Sequence, residues 1–317
     1  MSVVTSEMMN HQDPDAVRSH VREALAEDKI SQAEGARRAG MAESTFAAWL
    51  AGTYKGNNDK ATADAQRWLD ARRSQKVAAA TVMASPAFVE TETALEFIGA
   101  MQYAQIAADL TTIVGVPGVG KTRAGEAYQA RTPHVWLVTM TPTTSKPSAM
   151  LAEICAEMDI PEKSSTKQAR AIGRFVKGKG ALLIVDEAQH LRPEALDELR
   201  ALNDRYGLGI VVMGNLTVVS RLEGKKADYA QLYSRVGVGL TCLKPRDGDV
   251  AALIGAWGVQ DPEEVAFLTT VARKPGALRA LDKTMRLAGT LAAGTSEARG
   301  MRHLKGARSK LGRGAEG

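Results

Sequence analysis

The chain has 317 residues, enough for two or three domains. Its 44% hydrophobic and 24% charged content is ordinary for a globular protein. No apolar run is long enough to span a bilayer, the first residues lack the basic start and apolar core of a secretion signal, and a net charge of +5 is too mild to name a partner by itself.

Residues 1–75 are helical and charged, and within them Ile30 to Gly52 reads as helix–turn–helix. Ser31 caps the first helix, with Glu34 three residues on as the second half of a capping box. Gly40 ends that helix and permits the turn, and Ala36 is small where the two helices would cross. Phe46, Trp49 and Leu50 form one apolar face at i, i+3 and i+4. Ser44, Thr45 and Ala48 leave the other face short-chained, as a helix entering a major groove requires. The pattern resembles the phage-repressor type of DNA-binding fold. Arg37, Arg38, Lys55 and Lys60 are the candidate phosphate contacts. No second-helix side chain is suited to bidentate base readout, so weak sequence specificity is expected.

Residues 76–86 are small and nearly uncharged and read as a linker. From 87 to 243 short apolar runs alternate with helical patterns. Thr111–Val114, Val135–Thr139, Ala181–Val185 and Gly209–Met213 read as buried strands, which implies an α/β fold with a parallel sheet covered on both faces. Cys155 and Cys242 lie among apolar neighbours, so core thiols in a reducing cytoplasm are expected rather than a disulfide or a metal site.

The first strand runs into Gly115, Val116, Pro117, Gly118, Val119, Gly120, Lys121 and Thr122, which fits G-x-x-x-x-G-K-[ST]. Glycines let backbone N–H groups approach phosphates, and the helix that follows, starting near Arg123, points its positive end at them. Lys121 would neutralise the β- and γ-phosphates, and the Thr122 hydroxyl would ligate Mg²⁺. Some sixty residues on, the apolar run Ala181–Val185 delivers Asp186 and Glu187 at its end. Asp186 would hold the metal shell and Glu187 would polarise the attacking water. Two solvated acids after a strand are common alone, but beside Lys121 they imply ATP binding. A further strand ends in Gly214 and Asn215, whose amide could reach the γ-phosphate.

From 244 to 292 the pattern is helical, over Asp249–Trp257, Glu263–Ala272 and Ala277–Ala288, with Arg279 near the start of the last. Residues 293–317 are strongly basic and are expected to be a flexible tail able to screen DNA phosphates.

Taken together, residues 87 to 290 resemble an AAA+ ATPase: a P-loop parallel sheet, with the all-α helix–turn–helix domain before it and a helical lid after it. The segments Phe88–Thr91, Tyr103-Ala104, Val114–Thr122 and Val185–Leu191 resemble those of the B transposition proteins of Mu-like phages. The AAA+ resemblance implies that Asn215 is the first sensor and Arg279 the second. It also implies that Arg235, in Leu232–Arg235, is an arginine finger reaching a neighbouring subunit, with Arg221 as the competing candidate. Phe88, Val89 and Thr91 would lie near adenine. The narrower resemblance implies a cytoplasmic ATPase that binds double-stranded DNA when loaded with ATP, assembles into filaments and presents target DNA to a transposase. Two other readings stay open: a replicative helicase loader, and a non-enzymatic ATP-gated repressor.

Overall fold

The computed structural model describes residues 13–81, 84–218, 236–295 and 297–312. The chain divides into two units, Met1–Val82 and Met83–Gly317.

The first unit is four helices: α1 (Pro14–Glu27), α2 (Gln32–Ala39), α3 (Glu43–Leu50) and α4 (Asn58–Thr81). The Ser31 hydroxyl accepts the Glu34 N–H at the head of α2, and Gly40 closes it at φ +70°. The capping box is used differently from the expectation. The Glu34 carboxylate turns outward and pairs with Arg38 Nε at 2.9 Å and Arg37 at 2.8 Å. Phe46, Trp49 and Leu50 are buried as their spacing requires. Ala36 is buried in this core, and Gly35 beside it is also closely approached: a methyl there would meet Leu25 and Phe46. Trp49 Nε1 donates to Thr62 Oγ1 at 3.0 Å. Arg18 and Arg22 of α1 donate to the Trp49 and Leu50 carbonyls at 2.7 and 2.5 Å, satisfying acceptors that a helix end leaves orphaned. The expected linker, 76–86, is helical as far as Thr81. Its small uncharged residues include Ala78, Ala79 and Ala80, and alanine is the strongest helix former.

The second unit opens with α5 (Glu92–Ala107) and builds a five-stranded parallel sheet. The strands are β1 (Leu110–Gly115), β2 (Val135–Thr139), β3 (Leu182–Asp186), β4 (Gly209–Gly214) and β5 (Val236–Cys242), in the order β2-β3-β4-β1-β5. β1, β3 and β4 are buried along their whole length, because helices cover both faces. One face packs on α7 (Pro147–Glu157), α8 (Ser165–Val176) and α9 (Pro193–Tyr206); the other packs on α5 and α6 (Lys121–Arg131). In register, Thr111 lies beside Val211 and Val238, and Val185 lies beside Val212. This alignment brings the carboxyl ends of β1, β3 and β4 together, where a doubly wound sheet opens its crevice.

Past the sheet lie α10 (Asp247–Ala256), α11 (Pro262–Ala272), α12 (Ala277–Gly294) and α13 (Met301–Gly312), around their own apolar core. α13 corrects the expectation of a flexible basic tail. Leu304 and Ala307 are fully buried against α12 and its neighbours, and Arg299 pairs with Glu264 at 2.9 Å in a mostly buried setting. The cations occupy the outward face and mask a short apolar stripe, His303, Leu304 and Ala307. The tail from 313 lies outside the described residues. Among those residues no helix is long and apolar enough to cross a membrane.

Candidate nucleotide site

At the end of β1 the chain turns through the phosphate loop into α6. Gly118 and Gly120 sit at φ +91° and +101°, a region open to glycine and strained for other residues. Gly115 is needed for a different reason: a methyl there would collide with the Cys242 carbonyl of β5. That carbonyl accepts the Val116 N–H at 3.1 Å, so β5 buttresses the first residue of the loop.

Lys121 opens α6 and folds its ammonium back under the loop, donating to the carbonyls of Gly115 at 2.9 Å and Val116 at 3.3 Å. Burial lowers its pKa, opposed by the nearby charges of Asp186 and Glu187. Thr122 Oγ1 donates to Asp186 Oδ2 at 2.5 Å, across 64 residues of sequence. The other Asp186 oxygen accepts the Glu187 N–H at 2.8 Å. Strand β3 thus delivers a buried carboxylate directly to the start of α6. Magnesium sites in such proteins take one or two carboxylates plus substrate phosphates, and the Thr122–Asp186 oxygen pair beside a phosphate loop fits that donor set.

Glu187 has a left-handed backbone, φ +53°, which turns its side chain out of the strand and costs about 1–3 kcal/mol. Its Oε2 accepts from Gln189 Nε2, and Gln189 Oε1 accepts the Asn215 N–H at 3.3 Å. Gln189 therefore ties the end of β3 to the end of β4. The sequence reading gave it no role, since only the fold brings residue 215 to it. Gly214 keeps room for this link, because a methyl there would strike Gln189 Oε1. Asn215 lines the cleft, and its side-chain oxygen is engaged locally, accepting from the N–H and hydroxyl of Thr217 at 2.9 and 2.5 Å.

These groups surround a cleft of about 480 Å³. Val116 packs with the core beneath, while Pro117, Gly118, Val119, Gly120, Lys121, Thr122, Arg123 and Glu187 line one end of it. Arg123 also pairs with Glu126 at 3.0 Å. Phe88, Val89 and Thr91 line the same cleft, and Phe88 carries the Arg131 guanidinium over its ring at 5.5 Å. Arg279 enters from α12, whose first turn abuts Gly118. Ser85 and Asp282, hydrogen-bonded at 2.8 Å, line it too and were not anticipated. Arg235 and Arg221 both lie outside the described residues.

The DNA candidates belong to the other unit. Arg37 and Arg38 are exposed on α2 but share Glu34; Ser44 is exposed and Thr45 half-buried on α3; Lys55 and Lys60 are exposed beyond it. Both cysteines are free, Cys155 buried and Cys242 half-buried, and burial raises both pKa values.

Two family models match the chain: an AAA domain over residues 106–222 and the C-terminal region of the Mu B transposition protein over 234–311. The Mu-like prophage FluMu DNA transposition protein B of Haemophilus influenzae is 38% identical over 272 residues, spanning 83% of this chain and 93% of that one. The ATP-dependent target DNA activator B of Escherichia phage Mu is 32% identical over 285 residues, 89% of this chain and 90% of that one. Among solved structures, the ORC2 protein of Aeropyrum pernix superposes with a TM-score of 0.56 at 16% identity, covering 71% of this chain and 69% of that one. Drosophila ORC gives 0.52 at 18%, covering 74% and 65%. The second unit therefore has the AAA+ fold, and the chain belongs to the Mu B transposition proteins, as an AAA+ ATPase of that family.

Proposed function

We propose that this chain is an ATP-controlled DNA-binding protein that assembles on target DNA and hands it to a transposase. The relative in phage Mu is named for ATP-dependent activation of target DNA. The observation that carries the reading is the joining of Thr122 to Asp186, with Glu187 next in the chain and facing the same cleft.

Nucleotide phosphates occupy the loop from Gly115 to Gly120, with Lys121 exchanging its carbonyl partners for phosphate oxygens. Thr122 and Asp186 would hold Mg²⁺, and the chemistry it would supply is neutralisation of the phosphate charge. Glu187 takes the proton of the water whose oxygen attacks the γ-phosphorus. The bond to the β–γ bridging oxygen breaks, leaving ADP and phosphate. Asn215 orients that water, Arg279 reads the γ-phosphate from the lid, and Arg235 completes the site from a neighbouring copy. Phe88, Val89 and Thr91 flank the base. The first unit adds duplex contacts through Arg37, Arg38, Ser44, Thr45 and Lys55. The protein works in the cytoplasm of a bacterium, phage-infected or lysogenic.

Co-sedimentation with random-sequence duplex DNA tests the reading. Filaments pellet with ATP and disperse as it is hydrolysed. Glu187→Gln binds ATP, slows hydrolysis by about 10²–10⁴, and holds DNA correspondingly longer. Equal DNA affinity with and without ATP would overturn the proposal.

A further inference from the structure

Gln189 stands in the nucleotide cleft between Glu187, which follows β3, and Asn215, which follows β4, and its side chain reaches both. It leaves the single 3₁₀ turn Ala188–His190. That turn is pinned on either side of Gln189: Ala188 and Leu191 are buried, and the His190 N–H donates to the Glu187 carbonyl at 3.0 Å. From this fixed base the amide spans the gap between the strand ends. Its nitrogen donates to Glu187 Oε2, and its oxygen accepts the Asn215 N–H at 3.3 Å. Gly214 leaves the space for it, because a methyl there would come within 2.6 Å of Gln189 Oε1.

An amide suits both partners at once. An ionised carboxylate only accepts hydrogen bonds and a backbone N–H only donates, so the bridge needs a donor at one end and an acceptor at the other. Glutamate at 189 would serve Asn215 and repel Glu187; methionine, of similar length, would serve neither. The sheet does not need the bridge, since β3 and β4 already pair in register from Leu182 beside Gly209 to Val185 beside Val212. Glu187 does need it. A glutamate side chain left to itself samples several rotamers, and a general base must lie within hydrogen-bond reach of the water it deprotonates. We propose that Gln189 is a positioning residue for ATP hydrolysis. It holds the Glu187 carboxylate by one oxygen, leaves the other to take the proton of the attacking water, and refers the base to the Asn215 backbone, so that the base and the end of β4 move together. This rests on the reading of Glu187 as the general base.

The test is single-turnover ATP hydrolysis by full-length protein in excess over Mg·ATP, with random-sequence duplex DNA present, at about pH 8, where carboxylates are ionised. Gln189→Met keeps the length and loses both hydrogen bonds. Its rate falls by about 10–100-fold, the scale for misplacing a catalytic group by about 1 Å. Affinity for a fluorescent ATP analogue stays within about twofold, since the contact is made to the base and not to the nucleotide. Gln189→Glu keeps the acceptor for Asn215, sets a second carboxylate against Glu187, and loses at least as much rate. In a Glu187→Gln background, itself slowed by about 10²–10⁴, Gln189→Met costs less than about twofold, because the group it positions is gone. A role in packing alone would carry the full loss into that background. Unchanged rates in both single variants overturn the positioning role. So does a loss that appears only as weaker analogue binding, a loss in Gln189→Met that Gln189→Glu does not share, or an equal loss in the Glu187→Gln background. If Gln189→Met does not fold, Gln189→Glu in the two backgrounds gives the same decision. A Glu187→Gln protein that hydrolyses at the parental rate overturns the reading of the base itself, and the role of Gln189 with it.

Discussion

Gly118 of the phosphate loop and Gly276 at the head of α12 meet backbone to backbone. A methyl group on residue 118 would collide with the Gly276 carbonyl and come within 3.1 Å of the Arg279 Cβ. The loop that cradles phosphate and the lid that carries Arg279 are in direct contact, so each limits where the other can sit.

Gly118→Ala tests that contact. Alanine at φ +91° is strained by about 1–2 kcal/mol, and relief of the collision moves α12 off the loop. Thermal melts should show the stability loss. Steady-state ATPase assays should show turnover down by about 10²-fold, the scale expected for misplacing a catalytic group by about 1 Å. Gly99→Ala, where a methyl meets nothing, is the control.

A buried carboxylate holds the lid to the sheet unit. Asp249 is fully buried; it accepts the Thr93 N–H at 3.0 Å, the Thr93 hydroxyl at 2.6 Å and the Arg246 N–H at 2.8 Å. Asp249→Ala strands two buried donors and a part-buried one, and each unsatisfied buried donor costs about 1–3 kcal/mol. Chemical denaturation should show a loss of at least about 2 kcal/mol, or no foldable protein. Asp249→Asn, which keeps two acceptor lone pairs, should lose less.

Lys121 gives a pH signature. Folding lowers its pKa through burial, so the unfolded chain holds the proton more tightly. Between the lowered value and the ordinary 10.5, stability of the nucleotide-free protein due to this group therefore rises with pH. Lys121→Met removes the buried charge. Its nucleotide-free stability should match or exceed that of the parent at pH 7, the difference narrowing as pH rises, while ATP binding disappears. Melting curves of the pair from pH 7 to 10 check the sign.

Leu304 shows whether α13 is part of the fold. It is fully buried in the lid core, so Leu304→Ala should destabilise by about 2–5 kcal/mol. Arg302→Gln and Lys305→Gln, on the exposed face, should change stability by less than about 0.5 kcal/mol.

The strands β1, β3 and β4 were legible because both faces are covered, which writes them as runs of apolar and β-branched residues, and the edge strand β2 keeps such a run from Val135 to Val138. β5 was not: Gly237 and Gly239 interrupt its pattern, and Gly237 is there because a side chain would strike Asp109. The phosphate loop was legible because its chemistry is local in sequence. Gln189 and the Ser85–Asp282 pair were not, since their partners lie 26 and 197 residues away and only the fold brings them together. α13 was hidden by charge: six outward or flanking cations outweighed three inward residues.

The hydrogen bond from Val116 to the Cys242 carbonyl bears on how this chain can be cut. β5 falls within the residues matched by the C-terminal Mu B model, yet its ladder partner, β1, falls within the AAA match. A fragment begun at residue 234 takes away a strand whose only sheet neighbour among the described residues is left behind, and strips the ATPase half of the rail beneath its own phosphate loop. The boundary between the two family matches therefore cuts through the sheet.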